Sequence, residues 1–140
     1  MDDRMATRLV FHGALVFLLG LVAGFPYAFV LLGTMAGEAR AWHMAHLEGV
    51  LNGLVCIAVA AVAPRLRLGP RQGALAGWGL IVTAYGNLVA SVLGASAGVR
   101  GLDLGGTAAN TTVYLLFVGA VVTVLVAMAL VAVGARGRRP

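Results

Sequence analysis

Trp42 to Ala63 is an apolar run whose first turns carry His43, His46 and Glu48. An ionisable side chain in such a run costs on the order of 2.5–3.5 kcal/mol even on lenient insertion scales, so it needs a reason to be there. At 100° per residue, His46, Gly49 and Gly53 share one helical face and His43 lies about 60° away. An imidazole above two glycines suits a flat cofactor: the ring offers an axial ligand, and the missing side chains leave room for a macrocycle edge. The plainer alternative is interfacial, with both histidines hydrogen-bonded to water or head groups near the helix end. Glu48 lies roughly opposite His46. It can serve as a proton carrier, as a partner for a cofactor or arginine charge, or as a carboxylate at the aqueous boundary. Asn52 is deeper and needs a hydrogen-bond partner, in a pocket or on a neighbouring helix.

A second polar pattern runs through Thr83, Asn87 and Ser91. Their spacing of four makes one stripe on an apolar helix, with Tyr85 off the stripe. Such stripes hold helices together, or line a polar cavity if they face Asn52 and His46. His12 is the one ionisable group in the first apolar run, and the single cysteine, Cys56, sits inside the second. One cysteine excludes an internal disulfide and a CxxC site, which leaves Cys56 as a small hydrophobe.

The elements that position these residues follow from composition. The chain has 140 residues, 61% hydrophobic and 11% charged, with a mean hydropathy of +0.96. Soluble domains carry roughly a quarter charged residues, so lipid must be the solvent for most of this surface. Four apolar stretches, 9–32, 42–63, 73–99 and 108–135, each approach or exceed the roughly 20 residues a membrane-spanning helix needs. They lack the two-residue alternation of barrel strands, which predicts an all-α membrane protein of one domain over residues 1–140. The first stretch is longer than the apolar core of a secretory signal, so it is read as a retained span.

Every basic residue is an arginine, and all sit at turns or ends. Arg4, Arg8, Arg65, Arg67, Arg71, Arg136, Arg138 and Arg139 fall on one side, against Arg40 and Arg100 on the other. The positive-inside rule places both termini in the cytoplasm, in a multi-pass protein of the inner membrane. The net charge of +5 is therefore a topology and lipid-head-group signal rather than one for nucleic acid.

The pattern W-x-x-A-H-x(4)-L-N-G-x(3)-I-A-V-A-x-V-x-P-x-L from Trp42 to Leu66 resembles the styrene oxide isomerases. The resemblance continues through His12-Gly13, Asn87 and Arg100-Gly101-Leu102 with Gly105, covering roughly residues 10 to 120. It implies a four-helix membrane protein that assembles as a homotrimer and binds ferric haem b between subunits. It also implies conversion of small apolar aryl epoxides to aldehydes by a Meinwald rearrangement, with iron as Lewis acid. By resemblance, His46 matches the axial ligand and metal contact, with Gly49 and Gly53 on its face, while Asn52 and Asn87 match polar residues near the substrate. Thr83 stands where the family has an aspartate, Ser91 where it has a tyrosine, Tyr85 where it has a tryptophan, and Glu48 where it has a glycine. The stripe stays polar but loses its acid and its phenol, which bears on substrate rather than on haem.

Two further functions stay open beside the enzyme. One is a non-catalytic b-type cytochrome or haem sensor on the same scaffold. The other is a cofactor-free helical bundle or small transporter subunit. His12 and His43 are candidate second haem contacts.

Overall fold

The structure, a computed structural model, describes residues 1–136; Arg138 and Arg139, part of the arginine count, lie outside the described residues. It consists of four helices: α1 (Asp3–Leu31), α2 (Ala39–Val62, prolonged by a 3₁₀ turn at Ala63–Arg65), α3 (Pro70–Ala97) and α4 (Ala108–Ala135). All four are long and apolar enough to cross a membrane. The chain is a multi-pass, all-α membrane protein.

Three helices begin ahead of their apolar runs, and the caps explain why. Hydropathy marks the part of a helix in hydrocarbon, whereas the hydrogen-bonded helix extends through the head-group region to its first good cap. Asp2 Oδ1 accepts the Met5 N–H at 2.8 Å, so α1 starts at Asp3 rather than Leu9. Proline at the first position of α3 loses no helical hydrogen bond, so that helix starts at Pro70. Gly98, at φ 64°, ends it in the left-handed conformation a side chain would resist.

The packing is uneven. Helix α1 lies along α2, α3 lies against α1, α2 and α4, and α4 is seated on α3 at one edge of the bundle. The buried residues of α4 are Val113, Ala120, Ala127 and Gly134. Their seven-residue repeat is the narrow stripe of a left-handed helix pair. Outside it, side chains such as Leu115 and Leu125 face outward, as lipid-facing residues must.

The α1–α2 seam is made by glycine. A Cβ on Gly20 would stand 2.5 Å from the Val50 nitrogen, and one on Gly53 would stand 2.6 Å from the Gly13 carbonyl oxygen. No side chain fits there, and backbone touches backbone. Gly73 and Gly77 are also spent within the chain, against Met1 and the Met5 side chain.

Met1 packs at the start of α3, and the Arg67 N–H donates to the Gly134 carbonyl at 3.0 Å near the end of α4. The N-terminus, the 63–69 connection and the end of α4 thus share the arginine-rich end. A reporter fused after Pro140 is expected to read as cytoplasmic, and one inserted near Ala36 as lying across the membrane. A C-terminal fusion that reports from the far side would reverse the orientation.

Candidate functional site

His46 lies two turns into α2, half-buried on the flank that meets α1. Its Nδ1 is 2.9 Å from the Gly20 carbonyl oxygen. A carbonyl can only accept, so Nδ1 carries the proton and Nε2 keeps its lone pair. Gly24 makes the seat: a Cβ there would be 3.1 Å from Nδ1. An imidazole whose far nitrogen is held by a backbone carbonyl has the orientation and tautomer of a metal ligand. This is the fit that a haem iron requires of its protein ligand.

The other histidines are engaged elsewhere. The His43 ring stacks on Tyr27 with centroids 4.9 Å apart. His12 Nδ1 is 3.0 Å from the Tyr85 hydroxyl, across the α1–α3 contact. That places Tyr85 at this seam instead of in a pocket with Ser91. Among the described residues, no three histidine, cysteine, aspartate or glutamate side chains cluster as a metal site. A lone histidine suits a haem, which brings its other ligands with it, better than a bare metal ion.

Gly49 and Gly53 do not play the part the helical wheel offered them. A Cβ on Gly49 would run into the Gly20 Cα, and one on Gly53 into Gly13 and Phe17. The space beneath His46 is filled by α1, so within one chain neither glycine leaves room for a macrocycle. Helix periodicity shows that a face lacks side chains, but not that a neighbouring backbone has taken the space.

The opposite flank of α2 borders a cleft of about 350 Å³. It lies between α2 and α4 at the arginine-poor end, with α3 as its floor. Met44, Ala90, Ala95, Val113 and Phe117 give it apolar walls, and Glu48 and Ser91 bring polar groups into it. Glu38 and Arg100 form an exposed ion pair at its mouth, 4.0 Å apart, which contributes little to stability. Arg100 and Leu102 of the rim belong to a turn tied down by Asn110. Asn110 Oδ1 accepts the Gly101 N–H at 2.9 Å, and its Nδ2 donates to the Asp103 and Gly105 carbonyls. The sequence reading missed Asn110. Its signal was an Asn in the first turn of a helix after a glycine-rich loop, where a carboxamide commonly holds the preceding backbone.

The polar stripe of α3 divides its labour. Thr83, 2% exposed, donates to the Gly79 and Ala120 carbonyls and meets Thr123 Oγ1 at 2.9 Å. Its hydroxyl fastens α3 to α4, so it does not line the cleft. Ser91 is 8% exposed and faces the cleft. Asn87, one turn deeper on the same stripe, is half-buried.

Asn52 finds its partner in its own helix. Its Nδ2 donates to Glu48 Oε2 at 2.7 Å and to the Glu48 main-chain carbonyl at 2.8 Å. At 100° per residue, His46 and Asn52 are about 120° apart around α2. His46 and the polar cleft therefore occupy different flanks of one helix.

Residues 5–136 match the family model described as styrene oxide isomerase. The chain is also 37% identical over 100 residues to "Hydroxylaminobenzene mutase HabB" of Ectopseudomonas oleovorans. That match covers 71% of this chain and 57% of the relative, so it spans little more than half of the relative's length.

Proposed function

From the premise that this chain belongs to the styrene oxide isomerase family, we propose that it is a membrane isomerase that rearranges a small aromatic substrate using one bound haem b. The observation that carries the reading is the His46 geometry: Nδ1–H fixed on the Gly20 carbonyl leaves Nε2 of the neutral ring free to hold iron. When bound, ferric haem supplies a Lewis acid for a substrate oxygen.

The chain's own residues have three tasks in this proposal. His46 holds the group at membrane depth, and the glycine seat of α1 keeps its ring from turning. Met44, Phe117 and the alanines of the cleft exclude water, which strengthens every polar contact inside. Glu48, Ser91, Asn52 and Asn87 orient the substrate. Since His46 and this polar set lie on different flanks of α2, we propose that a site is completed between copies, the His46 flank of one facing the cleft of the next. Head-to-tail contacts of this kind can close into a ring, and the family resemblance supports a homotrimer as the proposed ring.

The reaction that the resemblance implies is the conversion of an aryl epoxide to an aldehyde. One C–O bond breaks at the benzylic carbon, a hydride moves there from its neighbour, and the carbonyl forms with no atom or electron gained or lost. A second reading, rearrangement of an arylhydroxylamine to an aminophenol, is favoured by the named activity of the HabB relative and by the acceptor groups in the cleft. It is equally redox-neutral.

The test is anaerobic turnover by the detergent-purified, haem-loaded protein with no nicotinamide. Styrene oxide carrying deuterium on its terminal carbon should give phenylacetaldehyde that retains the migrated label. Hydroxylaminobenzene should give 2-aminophenol if the second reading holds. A Soret band with neither reaction would identify a cytochrome or sensor, and no Soret band would leave a cofactor-free bundle.

A further inference from the structure

The cleft brings Glu48 beside Asn52 of the same helix, and donor accounting gives this pair a consequence. Asn52 has two carboxamide hydrogens. One is given to Glu48 Oε2 and the other to the Glu48 main-chain carbonyl. A main-chain carbonyl only accepts, so this orientation of the carboxamide is fixed and not a choice between two flips. Both donors of Asn52 are therefore consumed by Glu48. What the pair has left is acceptors, Asn52 Oδ1 and the second carboxylate oxygen of Glu48, and Glu48 lines the cleft. Ser91, 92% buried by its 8% exposure, faces the same space and makes no hydrogen bond among the described residues. Its hydroxyl is the donor beside Glu48; the guanidinium groups of Arg40 and Arg100 also border the cleft, both on exposed side chains.

Inside those exposed guanidiniums, a ligand whose polar atom only accepts, such as an epoxide or ether oxygen, finds the Ser91 hydroxyl alone. A ligand with an N–H or O–H finds a carboxylate, and hydrogen bonds to a charged acceptor are roughly twice as strong as neutral ones. The volume of about 350 Å³ and the Met44 and Phe117 walls suit a single aromatic ring. We propose that Glu48 is a specificity-determining residue, selecting small arenes that carry a phenolic, amino or hydroxylamino donor over arenes whose oxygen is only an acceptor. With glycine at position 48, Asn52 would keep one N–H free for an acceptor, and Glu48 reverses that polarity. The inference deepens the isomerase reading and rests on it for substrate class, but the binding preference can be measured without turnover.

The probes are 4-fluorophenol and 4-fluoroanisole, nearly matched in shape and differing in one O–H. Each is titrated into detergent-solubilised full-length protein and followed by fluorine NMR, with empty micelles as the partitioning control. The native chain should bind 4-fluorophenol roughly tenfold more tightly than 4-fluoroanisole, the ratio expected when one charge-assisted hydrogen bond distinguishes them. Glu48→Gly and the size-matched Glu48→Met should both bring the ratio to about two or below, Asn52 regaining a free donor in each. Circular dichroism and the thermal midpoint identify which variants are folded. Equal binding by the native chain, or a preference retained in either folded variant, overturns the proposal. Turnover supplies a separate arm: the preference for hydroxylaminobenzene over styrene oxide should fall at least tenfold in Glu48→Gly. Absence of both reactions would sink the isomerase reading and leave the binding result standing.

Discussion

His46→Ala should remove most of the Soret absorbance of the purified protein, while His43→Ala should keep it. The two residues lie one turn apart on α2, yet their surroundings differ. His46 is set in a glycine notch with Nδ1 on the Gly20 carbonyl, whereas His43 is stacked on Tyr27. With no cluster of further ligands among the described residues, nothing nearby can take over from His46. The effect is expected to be large, with haem content falling at least tenfold, as loss of a sole protein ligand costs more than the 10–100-fold typical of its supporting contacts. His46→Ala should keep its helical circular dichroism, because the ring's single hydrogen bond is to a carbonyl already inside a helix. Loss of haem in His43→Ala with retention in His46→Ala would move the ligand to the other histidine. Retention in both would remove α2 as its source.

The four spans were legible because lipid imposes so strict a rule. Long uncharged runs have no other use in a chain this apolar, and arginines at their ends mark where water begins. What hydropathy could not reveal is how those runs touch. Thr83, Asn87 and Ser91 read as one stripe, yet Thr83 holds α4 and Ser91 faces the cleft. A spacing of four drifts 40° per step, which is enough to pass from one neighbour to the next. The Glu48–Asn52 bond was within reach of sequence alone, since residues four apart on a helix are neighbours. The partner of Asn52 expected in a pocket or on a neighbouring helix is instead one turn back on its own helix. The seat of His46 was harder to see. Gly20 and Gly24 belong to α1, and nothing local connects them to a histidine on α2 before the two helices are packed.

Resemblance and geometry also pull apart in an instructive way. By family pattern His46 and Asn52 belong to one site, and six residues of helix keep them on separate flanks. The proposed ring of copies would reconcile the two, and it ties the proposed assembly to the proposed function. The departures from the pattern then gain meaning as a group. With Thr83 committed to α4 and Tyr85 to His12, the polar character of the cleft falls to Glu48 and Ser91.

Gly49→Ala should damage the fold more than any other single methyl group added to the bundle, with Gly20→Ala close behind. The Cβ at Gly49 would collide with the Gly20 Cα, and that at Gly20 would stand 2.5 Å from the Val50 nitrogen and 2.7 Å from the Gly49 carbonyl carbon. These are backbone atoms inside two helices, so no side-chain rotamer can relieve the overlap and the helices must separate along the whole seam. Overpacking typically costs 1–3 kcal/mol where side chains can adjust, so here a value of about 3 kcal/mol or more is expected. In membranes, where close backbone packing replaces the hydrophobic effect as the force between helices, separation also forfeits the dispersion contacts of α1 with α2. Gly119→Ala is the control, because a Cβ there meets nothing within 4 Å. In detergent, the thermal midpoint of Gly49→Ala should fall well below that of the native chain, and Gly119→Ala should match it. Haem content should fall with the fold in Gly49→Ala, since parting the seam moves the Gly20 carbonyl away from Nδ1 of His46. The helical signal would weaken along with it, in contrast to the His46 variant. A Gly49→Ala protein with an unchanged midpoint would mean that α1 and α2 do not cross at these glycines.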